Sequence, residues 1–232
     1  MAGQFETVPG GGAAVALDEV EMSILRSLAV QLLELVGPGE EPVEGEDPLA
    51  SLFSEGPSKP PDDPALARLF PDAYGDEEPD FSSEFRRFTE NDLRTRKRED
   101  ALALVRTLDQ AGAAGGAHGG PSDGADASGG PDAPHEPHEP RGATRRGRRG
   151  RALPEGTVRL TLSPEDSRHW LGALNDLRLT IGTRLDVSDD DGPDSDDGGL
   201  YRLPDDDPRK PMVMAYLWLG ALQETLVETL MP

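Results

Sequence analysis

Arginine is the residue whose type and spacing in this sequence most suggest chemistry. Arg86, Arg87, Arg94 and Arg98, with Lys97 among them, crowd one stretch, and Arg141, Arg145, Arg146, Arg148, Arg149 and Arg151 form a denser run further on. Guanidinium groups hold carboxylates and phosphates through paired N–H donors. The first set can pair within the fold with acids such as Asp176, or it can dock an acidic partner. The second set, Arg145, Arg146, Arg148 and Arg149 above all, can tether nucleic acid by neutralising phosphates, or it can be a solvated arm lying against an acidic body. The formal net charge of −22 opposes DNA approach. With no recognition-helix motif present, no sequence-specific duplex binding by the isolated chain is expected.

Other chemistries fail on spacing. An EF-hand loop needs acids at its first positions, glycine at the sixth and glutamate at the twelfth. Setting Gly192 at the sixth position of the Asp186–Asp207 loop puts Val187 first and Gly198 last. His135-Glu136-Pro137-His138 lies in a Gly/Pro-rich stretch that offers no second shell for a metal, and His169 stands beside Trp170 on an expected helix. No Ser/His/Asp spacing or phosphate-cradling glycine loop is present. The chain has no cysteine, which excludes disulfides, thiol catalysis and zinc–thiolate sites. The expectation is a non-enzyme with no metal and no cofactor.

The elements that position the arginines follow from apolar periodicity. Phe5–Val8 and Ala14–Leu17 flank Pro9-Gly10-Gly11-Gly12 and read as a β-hairpin. Asp18 and Glu21 form a capping-box pattern ahead of a helix whose stripe is Val20, Ile24, Leu25, Leu28, Leu32, Leu35 and Val36, ended by Gly37-Pro38. Asp47-Pro48 and Asp63-Pro64 each start a brief helical turn. A long helical region covers about Ser82 to Gln110, with a kink or restart at the Thr89/Asp92 cap; Lys97 falls in the middle of its second apolar face. Thr157–Leu162 alternates as a half-buried strand and should join the hairpin. Ser163-Pro164-Glu165-Asp166 opens a helix running through Trp170, Leu174 and Ile181. A last helix, about Arg209 to Leu230, is apolar on nearly all faces and is expected to lie at the centre of the bundle.

The fold class expected is therefore mainly α: a single helical-bundle domain with a small N-terminal β-hairpin, joined by one strand near 157–162. Residues 1–110 and 153–232 form one discontinuous domain. Residues 111–152, rich in Gly, Pro and Arg with almost no large apolar side chain, form a disordered insertion. Hydrophobic residues are only 35% of the chain, and no run approaches the roughly 20 apolar residues of a membrane span. A cytoplasmic location is expected. The scarcity of lysine beside abundant Ala, Gly, Pro and Asp points to a GC-rich genome.

Several ordered blocks carry a resemblance. They are Pro60-Pro61-Asp62-Asp63-Pro64 with Phe70-Pro71-Asp72-Ala73-Tyr74; Ser83 through Arg94; Trp170 through Leu179 with Gly182-Thr183-Arg184-Leu185; and Tyr216-Leu217-Trp218-Leu219-Gly220-Ala221-Leu222. Together they resemble the actinobacterial AosR-like family of oxidative-stress transcriptional regulators, formerly a domain of unknown function. Trp170, Asn175, Asp176, Arg178, Arg184 and Trp218 stand out in those blocks. The resemblance implies a non-enzymatic regulator acting by contact with a sigma factor or RNA polymerase, with Arg86, Arg87, Arg94 and Arg98 as candidate partner contacts. The alternative is an adaptor linked to Clp proteolysis or cysteine biosynthesis. A thiol switch attributed to the family cannot operate in a chain without cysteine.

Overall fold

The computed structural model describes residues 3–38, 56–74, 79–116, 156–188 and 199–231. Strands β1 (Glu6–Val8) and β2 (Gly12–Asp18) form the N-terminal hairpin, pairing Glu6 with Ala14 and Val8 with Gly12. Gly10 and Gly11 turn the chain at φ of 102° and 82°, a region closed to most side chains. Strand β3 (Thr157–Leu162) pairs antiparallel with β2, Ala13 opposite Leu162 and Leu17 opposite Val158, so the sheet order is β1-β2-β3. The expected joining of hairpin and distant strand is therefore present.

Helix α1 (Glu19–Val36) starts at the expected capping box: the Asp18 side chain accepts from the Glu21 N–H, and the Glu21 carboxylate accepts from the Asp18 N–H. Leu25, Ala29, Leu32 and Val36 are buried, whereas Val20 and Ile24 face solvent, so its buried stripe is narrower than the apolar one. Helix α2 (Pro64–Leu69) is a short piece capped by Asp63, which accepts from the N–H groups of Ala65 and Leu66. The turn expected at Asp47-Pro48 lies outside the described residues.

Helix α3 (Pro79–Gly116) is continuous through Thr89, contrary to the expected restart. The Thr89 hydroxyl donates to the Phe85 carbonyl one turn back, at 2.9 Å, and so follows the helix rather than capping a new one. The helix also continues beyond Gln110 into the first residues of the expected insertion; residues 117–155 are outside those described.

Helix α4 (Pro164–Arg184) is capped by Ser163, whose Oγ accepts from the Asp166 N–H at 3.0 Å. A short 3-10 turn (Gly199–Arg202) and helix α5 (Lys210–Leu230) complete the described chain. The bundle centre is α4, which packs against α1, α2, α3, α5 and the sheet. Helix α5, expected there from its apolar faces, packs chiefly on α4, β1 and β2, and leaves Met212 and Met214 exposed. The physical reason is that α4 buries one long row, Trp170, Ala173, Leu174, Leu177 and Ile181, where four helices converge. Trp170 is fully buried: Phe5 meets it edge-on at 5.9 Å, and its Nε1 donates to the Thr107 hydroxyl at 2.8 Å. Among the described residues no helix is long and apolar enough to cross a membrane.

Candidate functional site

The first half of α3 carries the arginines, and the groups opposite it explain where they go. Helix α1 ends at Val36 with no basic residue in its last turn. The final carbonyls of a helix have no N–H partners of their own and carry partial negative charge. Arg94 Nη1 donates to the Val36 carbonyl and Arg98 Nη1 to the Gly37 carbonyl, each at 2.5 Å. A second helix thus supplies the positive charge that α1 lacks.

Two turns before Arg94, Arg86 is 4% exposed and ties α3 to the chain leaving α2. Its Nη2 donates to the Phe70 carbonyl at 2.9 Å and to Asp72 Oδ1 at 2.8 Å, and its Nη1 pairs with Glu90. Glu90 is 2% exposed and also accepts from Arg94, Nη2 to Oε1 at 2.7 Å. Phe70 lies within this network with the Arg94 guanidinium 4.5 Å from its ring centroid. Lys97 reaches α4, donating to Asp176 Oδ1 at 2.7 Å. Burial raises the Asp176 carboxyl above its ordinary range, and Lys97 pulls it back only in part.

The opposite side of the same helix is aromatic. Phe81, Phe85 and Phe88 sit at helical spacing on α3 and are 59%, 46% and 66% exposed. Tyr74 extends the patch, its ring 6.1 Å from those of Phe81 and Phe85. Asp80, Glu84 and Asp92 are exposed around it, and the half-buried Arg87 lies over the Phe88 ring at 5.9 Å. Of this face the bordering Arg87 was singled out for contact from sequence, and the aromatic rings were not. The spacing of the phenylalanines was visible there, but not the direction in which they point.

The remaining candidates are dispersed. Trp170 is core, Asp176 receives Lys97, and Arg184 donates to the α2 cap Asp63 at 2.6 Å. Arg178 Nη1 donates to Gln223 Oε1 at 2.6 Å and Asn175 accepts from Gln223 Nε2, which joins α4 to α5. Trp218 is half-buried on α5, with its Nε1 enclosed and without an acceptor among the described residues. Arg145, Arg146, Arg148 and Arg149 lie outside the described residues, as do His118, His135, His138 and residues 189–198 of the aspartate-rich loop. Among the described residues no group of His, Asp and Glu is arranged to hold a metal ion.

Among the described residues, five helices and a three-stranded antiparallel sheet, with a buried basic network opposite an aromatic face, are the class this chain defines. The chain belongs to the family described as Domain of unknown function (DUF2017), whose model matches residues 2–230. Relatives named "Oxidative stress regulator AosR" from Mycobacterium bovis (strain ATCC BAA-935 / AF2122/97) and Mycobacterium tuberculosis (strains CDC 1551 / Oshkosh and ATCC 25618 / H37Rv) are 39% identical over 79 residues. That stretch is 34% of this chain and spans about a third, 33%, of the length of those relatives. No solved structure matches.

Proposed function

We propose that this protein is a non-enzymatic regulator of stress-responsive transcription that works by direct contact with a sigma factor or RNA polymerase. The observation that carries the reading is the outward placement of Phe81, Phe85 and Phe88 on α3. Single exposed apolar residues are ordinary, but neighbouring aromatic rings at a surface supply the buried anchors of protein interfaces. The acids around them, Asp80, Glu84 and Asp92, suit a partner surface that is apolar at its centre and basic at its edge. The relatives are named as oxidative stress regulators, and the family resemblance turns this contact toward the transcription machinery. Arg86 and Arg94 serve the fold, so the arginine-led contact narrows to Arg87 at the border of the aromatic patch.

The test is binding of the full chain to purified RNA polymerase and to the individual sigma factors of the same organism. The parent should bind one of them at moderate salt, and a Phe81→Ser/Phe85→Ser/Phe88→Ser variant should not. A variant that binds as the parent does removes the aromatic face from the account. Binding of the parent to ClpS in place of these proteins would favour the adaptor role.

A further inference from the structure

A cavity of about 480 Å³ opens between α2, α4 and α5, on a different part of the molecule from the aromatic face. Two arginines line it, and both stand apart from the pairing seen elsewhere. Arg68 makes no hydrogen bond or ion pair among the described residues. Among the described residues Arg178 has the neutral Gln223 oxygen as its acceptor, and its Nε is enclosed without one. In a chain with 45 acidic and 23 basic residues, two cations on one cavity wall that pair with no carboxylate among the described residues are out of keeping with the rest. Asp186 is the one carboxylate lining that wall among the described residues. The open groove beside α3 and α4 differs: Arg96, Arg168 and His169 there share the lining with Asp92, Glu99, Asp100 and Glu165.

The wall is also built for shape. Gly182 of α4 lets the Tyr216 ring lie so close that an added β-carbon would meet it at 3.2 Å. Tyr216 in turn holds the Arg178 guanidinium over its face, 5.4 Å from the centroid. Asp186 closes α4 in the left-handed region, φ 54°, with its N–H on the Thr183 carbonyl and the Val187 N–H on the Gly182 carbonyl. This left-handed ending and its two hydrogen bonds terminate α4 and fix the backbone at the cavity rim.

We propose that this cavity binds a small organic molecule bearing a multiply charged oxyanion, a phosphate ester or a polycarboxylate. Its charged oxygens are taken by Arg178 and Arg68, and its apolar part rests against Tyr216 and Leu179. Planar guanidinium forks match both kinds of oxyanion. Tyr216 and Leu179 favour a ligand with carbon surface over a bare inorganic ion.

The experiment is isothermal titration of the full chain with glucose 6-phosphate and with citrate, in separate arms that distinguish the two oxyanion sources. At least one should bind saturably with one site per chain. Arg68→Ala, at an exposed position, and Arg178→Lys, which keeps charge but loses the fork, should each weaken it by about tenfold or more. Arg96→Ala/Arg168→Ala in the open groove should leave it unchanged. Absence of saturable binding in both arms overturns the proposal, as does equal weakening by the groove variant or retained affinity in Arg68→Ala and Arg178→Lys. Each variant is checked for an unchanged thermal midpoint, and because Arg68 makes no hydrogen bond or ion pair among the described residues its loss should read on binding.

Discussion

The two halves of α3 obey opposite rules. In its second half, Ala101, Leu104 and Leu108 are buried and, Leu102 apart, Arg106, Asp109 and Gln110 face outward, much as hydropathy would place them. In its first half, Arg86 and Glu90 are buried while Phe81, Phe85 and Phe88 face solvent. The difference lies in what each half meets. The second half packs on the apolar side of α1, α4 and the sheet. The first half meets the carbonyl end of α1 and the exit of α2, where unpaired backbone acceptors require donors and apolar side chains would leave them unsatisfied. Hydropathy therefore orients a helix only where the opposing surface is itself apolar.

The sharpest way to break this contrast is at Glu90. Glu90→Ala leaves the Arg86 and Arg94 guanidinium groups without their shared carboxylate, and it should cost about 3–5 kcal/mol in urea unfolding. Leu104→Ala in the second half should cost about 2–5 kcal/mol by leaving a cavity. If Glu90→Ala costs no more than an ordinary surface change, the buried network does not hold the first half.

A somewhat smaller effect is expected at Lys97, and it should depend on pH. Burial raises the Asp176 carboxyl in the folded protein, so the native state binds that proton more tightly than the unfolded chain does. Its contribution to stability is full below the unfolded value, about 4, and is lost as pH rises through the raised folded value. Lys97→Ala removes the compensating charge, so the variant should fall behind the parent by about 3 kcal/mol at pH 7 and recover toward it in acid. A deficit independent of pH would mean that Lys97 acts by packing alone.

Asp63 sharpens the contrast from the other side, with about 0.3–1 kcal/mol at stake from its charge at the start of α2, since asparagine would keep the cap itself. The Arg184 hydrogen bond first, and the N–H groups of α2 with it, hold its carboxyl below the ordinary range. Its contribution is present above about pH 4 and lost as pH falls, opposite in sign to that of Asp176. Asp63→Asn should flatten the acid limb of the stability–pH profile in denaturant titrations; an unchanged limb would show that the cap carries no charge effect.

What the sequence revealed follows the same division. The Asp18/Glu21 box, the Asp63-Pro64 and Ser163-Pro164 starts and the alternating 157–162 strand are local signals, and each stands in the structure as read. The Lys97–Asp176 pair was visible because a lysine in the middle of an apolar stripe must find a buried acid. The Arg94 and Arg98 contacts were not, because their acceptors are backbone carbonyls at a helix end that no side-chain pattern encodes. The position of α5 was misjudged because an apolar circumference marks burial without saying which helix lies innermost. The Arg68/Arg178 cavity brings together residues far apart in the chain, from α2 and α4, and no spacing announces it.

The central claim is that the first half of α3 holds the fold with its charged side and keeps its aromatic side free for other work. The most direct measurement is urea unfolding of two triple variants beside the parent. Phe81→Ser/Phe85→Ser/Phe88→Ser should stay within about 0.5 kcal/mol per site of the parent, while Arg86→Gln/Arg94→Gln/Arg98→Gln should lose most of the cooperative transition. A collapse of the phenylalanine variant with retention of the arginine variant would contradict the account.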